Sequence, residues 1–352
     1  MKITDYWSGL LNRMKPVVQW LKKPFQSKPS IKERFNAALL LWRQRRSKIP
    51  ADDIPHTFKA RAYQGSRARK YLVHLPHGNT GQHPRPLVMV LHGCRQNHFD
   101  IEAISGFNAL ADQHGFMVVY PFVTSYRGLR STNCWGWWFK QEIQAGAGEV
   151  EDLWQIVEEI KLNYSIDSEH IHVTGLSSGA GMAVAMMVAH KDKIASGAAV
   201  AGVPYSEGAE AVNHIFNFFP RNKPVGAIVS AMKAEMGEIT RSLPIHIVHS
   251  KDDQTVGIQS AKNLRDSWGQ CFGVDVQRSK NVSNGSVGKV DWEMNQYSSG
   301  DGQSIIETLF LSGPGHGWYG GNPGAYSFPQ APDVSKGIWE FFLAHPLSNE
   351  LN

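Results

Sequence analysis

The sequence predicts an α/β protein: a mostly parallel sheet with helices on both faces, preceded by a basic helical extension. Three observations carry this. From Arg69 onward, apolar strand-like runs alternate with helical patterns, the signature of strand–helix–strand units. The 352 residues are 42% hydrophobic, enough to bury a large single core. A Gly-x-Ser-x-Gly sits where one of those strands turns into a helix. The expected strands are Lys70 to Leu75, Pro86 to Leu91, Phe116 to Phe122, His170 to Thr174, Ala195 to Val203, Ile245 to His249 and Ile305 to Leu311. The expected helices lie near Ile101 to His114, Glu149 to Leu162, Gly179 to His190, Gly257 to Trp268 and Val334 to Ala344. Asn281 to Gly302 is polar and rich in turn residues, and reads as a surface excursion.

The motif Gly175-Leu176-Ser177-Ser178-Gly179 follows the strand ending at Thr174 and precedes a helix of small residues. That context is the nucleophile elbow of the α/β-hydrolase fold. Glycines flank the serine because neighbouring backbone comes close on either side. The serine hydroxyl then stands over a helix N-terminus, which favours the negative charge of acyl transfer. A serine needs a base and an orienting acid, and this fold supplies them in the order Ser, Asp or Glu, His. Downstream, the strand Ile245 to His249 leads into Ser250-Lys251-Asp252-Asp253. Asp253 is the preferred acid and Asp252 the runner-up. The last strand leads into Ser312-Gly313-Pro314-Gly315-His316-Gly317-Trp318, and a histidine embedded in glycines and proline suits a loop that reaches back as general base. His170, His172, His246 and His249 lie on strands and read as packing residues.

An oxyanion hole takes two backbone donors. One is the amide of Ser178, directly after the nucleophile. The second is assigned to Cys94, in the loop His92-Gly93-Cys94-Arg95-Gln96 after the strand Pro86 to Leu91. His92 itself reads as a strand-end residue bonding locally. No His/Cys cluster or His-Glu-x-x-His has metal-ligand spacing, so no metal or cofactor is expected.

Several of these segments, in order, resemble the poly(3-hydroxybutyrate) depolymerase family of esterases. They are Leu91 to Gln96, Asn108 to Ala111, Gly115 to Pro121, Cys134-Trp135-Gly136-Trp137-Trp138-Phe139, Gly175 to Met182 and Gly313 to Trp318. That family is related to the feruloyl and acetylxylan esterases. The resemblance covers roughly Arg69 to His345 and implies an extracellular-type polyester or ester hydrolase with a Ser-Asp-His triad. It also implies an acid in a Gly-x-x-Asp-x-x-Val turn. Ser250, Asp253 and Val256 fit that spacing, with Ser in place of Gly, which favours Asp253.

Trp135, Trp138 and Trp318 are the candidate substrate contacts, with core packing an equal reading for Trp135. Phe216, Phe218 and Phe219 are better read as packed. Cys94 and Cys134 fall on loops expected at one edge of the sheet, where a bridge between them is plausible. Cys271 reads as an ordinary buried thiol.

Residues 1–50 hold 12 Lys or Arg against Asp5 and Glu33, a net +10, which leaves −5 for the rest of a chain of net +5. The basic character therefore belongs to the extension, and no nucleic-acid partner is expected for the catalytic region. Domains are expected at 1–55, a basic amphipathic extension, and 56–352, the catalytic domain. Trp7, Leu10, Leu11, Met14, Val17, Val18 and Leu21 form a helical stripe interrupted by Pro16. The stripe suits either peripheral contact with an anionic membrane or polymer granule, or packing on the catalytic domain. The segment lacks the form of a secretory signal. Cytoplasmic or surface-peripheral placement is expected, and the resemblance leaves an extracellular one open.

Together these readings predict a serine esterase acting on short hydroxyalkanoate esters or polyhydroxybutyrate-type oligomers. The alternatives are a feruloyl- or acetylxylan-type esterase, an acyltransferase, and a non-catalytic granule- or membrane-binding protein on a hydrolase scaffold.

Overall fold

A computed structural model describes residues 53–78, 83–124, 132–212, 221–278, 280–299, 302 and 304–347. The basic extension, its stripe and Phe216, Phe218 and Phe219 lie outside the described residues. Among those described, the strands are β1 (Asp53–Phe58), β2 (Arg69–His74), β3 (Arg85–Leu91), β4 (Met117–Pro121), β5 (Ile166–Leu176), β6 (Ser196–Val200), β7 (Ile245–Ser250), β8 (Lys280–Val287), β9 (Val290–Ser298), β10 (Ser304–Ser312), β11 (Trp318–Tyr319) and β12 (Ser327–Phe328). The helices are α1 (His98–Ser105), α2 (Phe107–His114), α3 (Gly148–Asn163), α4 (Ser178–Ala189), α5 (Val225–Met236), α6 (Ile258–Phe272) and α7 (Val334–Ala344).

One sheet takes strands β1 to β10 in the order β1-β2-β4-β3-β5-β6-β7-β10-β9-β8. Its centre, from β4 to β10, is parallel. Its two margins are antiparallel. Alternate residues of β3 show why both faces are covered. Leu87, Met89 and Leu91 pack with α3, α4, α5 and α6, while Val88 and Val90 pack with α1, α2 and α7, as the two-residue period of a strand requires. Helix α4 is apolar all round and buried almost throughout, because it lies between the sheet and neighbouring helices.

The structure corrects the sequence reading at four places. The helix expected from Ile101 to His114 is two, divided where Gly106 turns to φ 74° and serves as the C-cap of α1. Asn281 to Gly302 is largely a hairpin: β8 and β9 join through Gly288 (φ 60°) and Lys289, and β9 pairs with β10. Helix α5 was not anticipated. It buries only Ile228, Met232 and Met236, a single stripe at four-residue spacing. Finally, β1 runs through the expected 55/56 boundary and pairs with β2, so residues 53–55 belong to the sheet. No helix among the described residues is long and apolar enough to cross a membrane.

Several histidines are buried as neutral groups. Burial lowers His92 to about 4, His98 to about 3 and His190 to about 4. Burial also lowers His172, which stacks on Phe342 at 4.6 Å, and His249. In the unfolded chain each takes up a proton near pH 6.5. The unfolded state therefore binds more protons below that pH, and stability falls as pH drops from about 6.5 toward 4. Two groups act in the opposite sense. Glu102 is raised to about 7 by burial and the Asp53 charge. His74 is lowered by burial but raised overall by its bonds to Asp53 and Asp112. Burial also lowers His56, and six groups against two predict a net loss on acidification. The melting temperature should fall by at least about 3 °C between pH 7 and pH 5; calorimetry showing a flat or rising melting temperature would contradict this.

Candidate active site

Strand β5 ends at Leu176 and α4 begins at Ser178, so Ser177 alone makes the turn. Its backbone lies at φ 57° and ψ −115°, a region a side chain enters at a cost of about 1–3 kcal/mol. The turn is held by Ser177 N–H donating to the Val200 carbonyl at 2.9 Å and Gly181 N–H donating to the Ser177 carbonyl at 3.0 Å. The glycines on either side are steric necessities. A Cβ on Gly175 would stand 2.6 Å from the Gly179 backbone, and one on Gly179 would collide with the carbonyls of Leu91 and His92. The end of β3 thus runs directly against the start of α4.

The acid and histidine loops follow β7 and β10, which are parallel neighbours. His316 Nδ1 lies 2.7 Å from Asp253 Oδ2. The other carboxylate oxygen of Asp253 accepts the amides of Thr255 at 2.8 Å and Val256 at 2.9 Å. Burial pushes the Asp253 carboxyl up, but its hydrogen bond to His316, the electrostatic attraction of that imidazole and the Val256 amide together hold it below the ordinary carboxylate range. An ionised, buried carboxylate so placed fixes His316 with Nδ1–H toward the acid and Nε2 free to accept a proton. Behind the acid, His249 donates to the Val256 carbonyl at 2.7 Å and lies 3.6 Å from Asp253 Oδ2.

Asp252 turns elsewhere. Its Oδ2 accepts the amide of Gly313 at 2.6 Å, so it ties the acid turn to the histidine loop. Ser250 does the same: its hydroxyl donates to the Pro314 carbonyl and accepts the Asp252 amide at 3.1 Å. A glycine at 250 would supply neither bond.

Three of the four amides in the loop 93–96 have acceptors within the protein. Gly93 N–H donates to Gln96 Oε1 at 2.9 Å. Those of Arg95 and Gln96 donate to the carbonyls of Thr132, at 2.6 Å, and Gly93, at 3.3 Å. Among the described residues this leaves Cys94 N–H, which borders the cleft, as the loop donor open to a ligand. Ser178, at the first position of α4, has no acceptor within the helix for its own amide. His92 is fully buried, with Nδ1 2.8 Å from the Gly93 carbonyl and Nε2 accepting the Val123 amide at 3.2 Å. It therefore shapes the loop from behind. Cys94 and Cys134 are joined in a disulfide with Cα atoms 4.3 Å apart, and Asn133 Nδ2 donates to the Gln96 carbonyl at 3.1 Å. Cys271 is free and buried.

Ser177, His316 and Cys94 line one cleft of about 330 Å³. Its walls also include Arg95, Gln96, Leu176, Val212, Thr255 and Tyr326. The tryptophan expectations need correction here. Trp135 is fully buried, donates from Nε1 to the His92 carbonyl at 3.0 Å and does not line the cleft, so it braces the loop. Trp318 is also fully buried, donating to Ser335 Oγ at 2.9 Å and packing edge-on against Phe107. Trp138 is half-buried against Trp137 and Phe139 and does not border the cleft. The walls Val212 and Tyr326 had no sequence signal: neither belongs to a motif, and each reaches the cleft through tertiary folding.

The chain matches the family described as esterase PHB depolymerase over residues 69–278. It is 32% identical over 253 residues to poly(3-hydroxyalkanoate) depolymerase C of Paucimonas lemoignei, covering 69% of this chain and 57% of that protein. It is 26% identical over 251 residues to poly(3-hydroxybutyrate) depolymerase of Ralstonia pickettii, covering 68% and 49%. The chain thus spans about half the length of these curated relatives. Acetyl xylan esterase from Aspergillus awamori superposes with a TM-score of 0.60 at 18% identity, covering 83% of this chain and 99% of that one. That likeness shows a shared α/β-hydrolase fold.

The geometry separates the two aspartates. Asp253→Asn should cut ester turnover by at least about a thousandfold, because the amide holds the imidazole in the wrong tautomer. Asp252→Asn keeps an oxygen for the Gly313 amide and should cost less than about tenfold. Steady-state rates on one soluble ester decide this, and the reverse ranking would move the acid to Asp252.

Proposed function

We propose that this chain, which belongs to the PHB depolymerase family of esterases, hydrolyses carboxylic esters through an acyl-enzyme. The observation that carries the reading is the convergence of the strained Ser177 turn, the Asp253–His316 pair and the Cys94 amide on one cleft. Ser177 Oγ attacks the ester carbonyl while His316 Nε2 takes its proton. The amides of Cys94 and Ser178 receive the oxyanion, aided by the N-terminus of α4. His316 then protonates the departing alkoxide. Water, deprotonated by His316, attacks the acyl-enzyme and releases the carboxylate and Ser177. Asp253 remains ionised throughout and stabilises the imidazolium.

The substrate class is a hydroxyalkanoate ester of short length. Leu176, Val212 and Tyr326 offer the cleft apolar walls suited to alkyl chains, and the two relatives above are depolymerases of such polyesters by name. A carbohydrate-ester substrate is the second reading, favoured by the fold shared with an acetyl xylan esterase.

A hydrolysis panel tests both readings. Hydroxybutyrate oligomers and p-nitrophenyl butyrate should be turned over, and Ser177→Ala should remove at least about a thousandfold of that activity without unfolding the protein. Faster turnover of acetylated xylan or feruloyl esters would replace the substrate class. Turnover that survives Ser177→Ala would remove the mechanism.

A further inference from the structure

Among the described residues that line the cleft there is one permanently charged cation and no Asp or Glu. The cation is Arg95. Its side chain is exposed, and it forms no ion pair or side-chain hydrogen bond with the described residues. It stands in a catalytic region whose net charge is −5 once the basic extension is set aside.

The backbone makes the position more telling. Arg95 lies at φ 64°, where a residue bearing a Cβ is disfavoured by about 1–2 kcal/mol and glycine or asparagine is the inexpensive occupant. The chain holds an arginine there. The Arg95 amide is fixed to the Thr132 carbonyl at 2.6 Å, and the preceding residue is locked by the Cys94–Cys134 disulfide. The guanidinium therefore springs from a rigid loop, one residue beyond the Cys94 amide.

We propose that Arg95 binds a free carboxylate carried by the ester substrate, so that the cleft selects hydroxy-acid ester oligomers at their carboxyl end. A guanidinium presents paired donors that match a carboxylate, and the neighbouring walls Leu176, Val212 and Tyr326 receive the alkyl part. In such an oligomer the carboxylate of the last unit lies a few bonds from the last ester carbonyl, and Arg95 is the residue next to Cys94 on the wall of the same cleft. Hydrolysis adds water across that ester. The acyl carbon gains the hydroxyl and becomes a carboxylate, and the departing terminal unit gains the proton as its alcohol. The shortened chain again ends in a carboxylate and is a substrate for the next round. This inference rests on the esterase reading for the bond that is cut, but not for the binding itself.

Calorimetry on full-length Ser177→Ala protein measures binding without turnover. The probes are the linear 3-hydroxybutyrate dimer as free acid, its neutral methyl ester, and a hexuronic acid. At low ionic strength the free acid should bind at least about fivefold more tightly than the methyl ester, as one charge-assisted pair supplies. Added salt should narrow the difference. Arg95→Gln should abolish it, and so should Arg95→Gly, whose backbone accepts the positive φ and keeps the loop in shape. Equal affinity of acid and methyl ester, no binding of either, or a preference that survives both substitutions would overturn the proposal. Hexuronic acid binding as tightly as the dimer would overturn the hydroxy-acid assignment. If the unsubstituted chain fails to hydrolyse p-nitrophenyl butyrate, the esterase reading falls while the binding result stands by itself.

Discussion

Everything at this site depends on how closely the end of β3 approaches the first turn of α4. Carbonyls of Leu91 and His92 occupy the space where a Cβ of residue 179 would be, and the Gly179 backbone occupies the space where a Cβ of residue 175 would be. Only glycine fits at either position. With both neighbours in place, the chain between strand and helix has one residue in which to reverse, and Ser177 takes the left-handed turn at φ 57°. The same approach sets the loop after β3 beside the serine, so the two candidate oxyanion donors, Cys94 and Ser178, come from elements already in contact. Strain at Ser177 is held by packing that the core supplies in any case.

A second set of contacts places the histidine. The acid turn after β7 and the loop after β10 are joined at three successive levels: Ser250 to Pro314, Asp252 to Gly313, and Asp253 to His316. Parallel pairing of the two strands brings the loops together, and these bonds fix their height. Asp252 and Ser250 thus have a structural share in the site without facing the cleft. Two walls with separate origins, the β3–α4 contact and the β7–β10 pair, meet at the cleft holding Ser177 and His316.

Much of this was legible because it rests on residue types with few substitutes. Glycine at a close approach, serine between two glycines, and an acid and a histidine after two parallel strands can be read from order and spacing alone. The β8–β9 hairpin could not be read in this way. It lies at the margin of the sheet, half in solvent, so its strands carry polar residues such as Asn284, Ser286, Asp291 and Glu293 rather than an apolar run. Helix α5 buries a stripe too thin to stand out. Trp135 and Trp318 were misread for another reason: a tryptophan beside a catalytic motif looks the same in sequence whether it faces the ligand or supports the loop from behind. In the folded chain their indole N–H groups are bonded to His92 and Ser335, and neither ring lines the cleft. Arg95 carried no signal because the strain that distinguishes it is visible only in the backbone.

The central claim is that the forced turn makes Ser177, and no other serine, the reactive group. Covalent labelling with a fluorophosphonate, followed by peptide mass analysis, tests it most directly. The account predicts one adduct per chain, on Ser177, formed rapidly by the folded protein and not formed by protein unfolded before labelling. An adduct on Ser178 or on a serine outside the β5–α4 turn, or no adduct on folded protein, would contradict it.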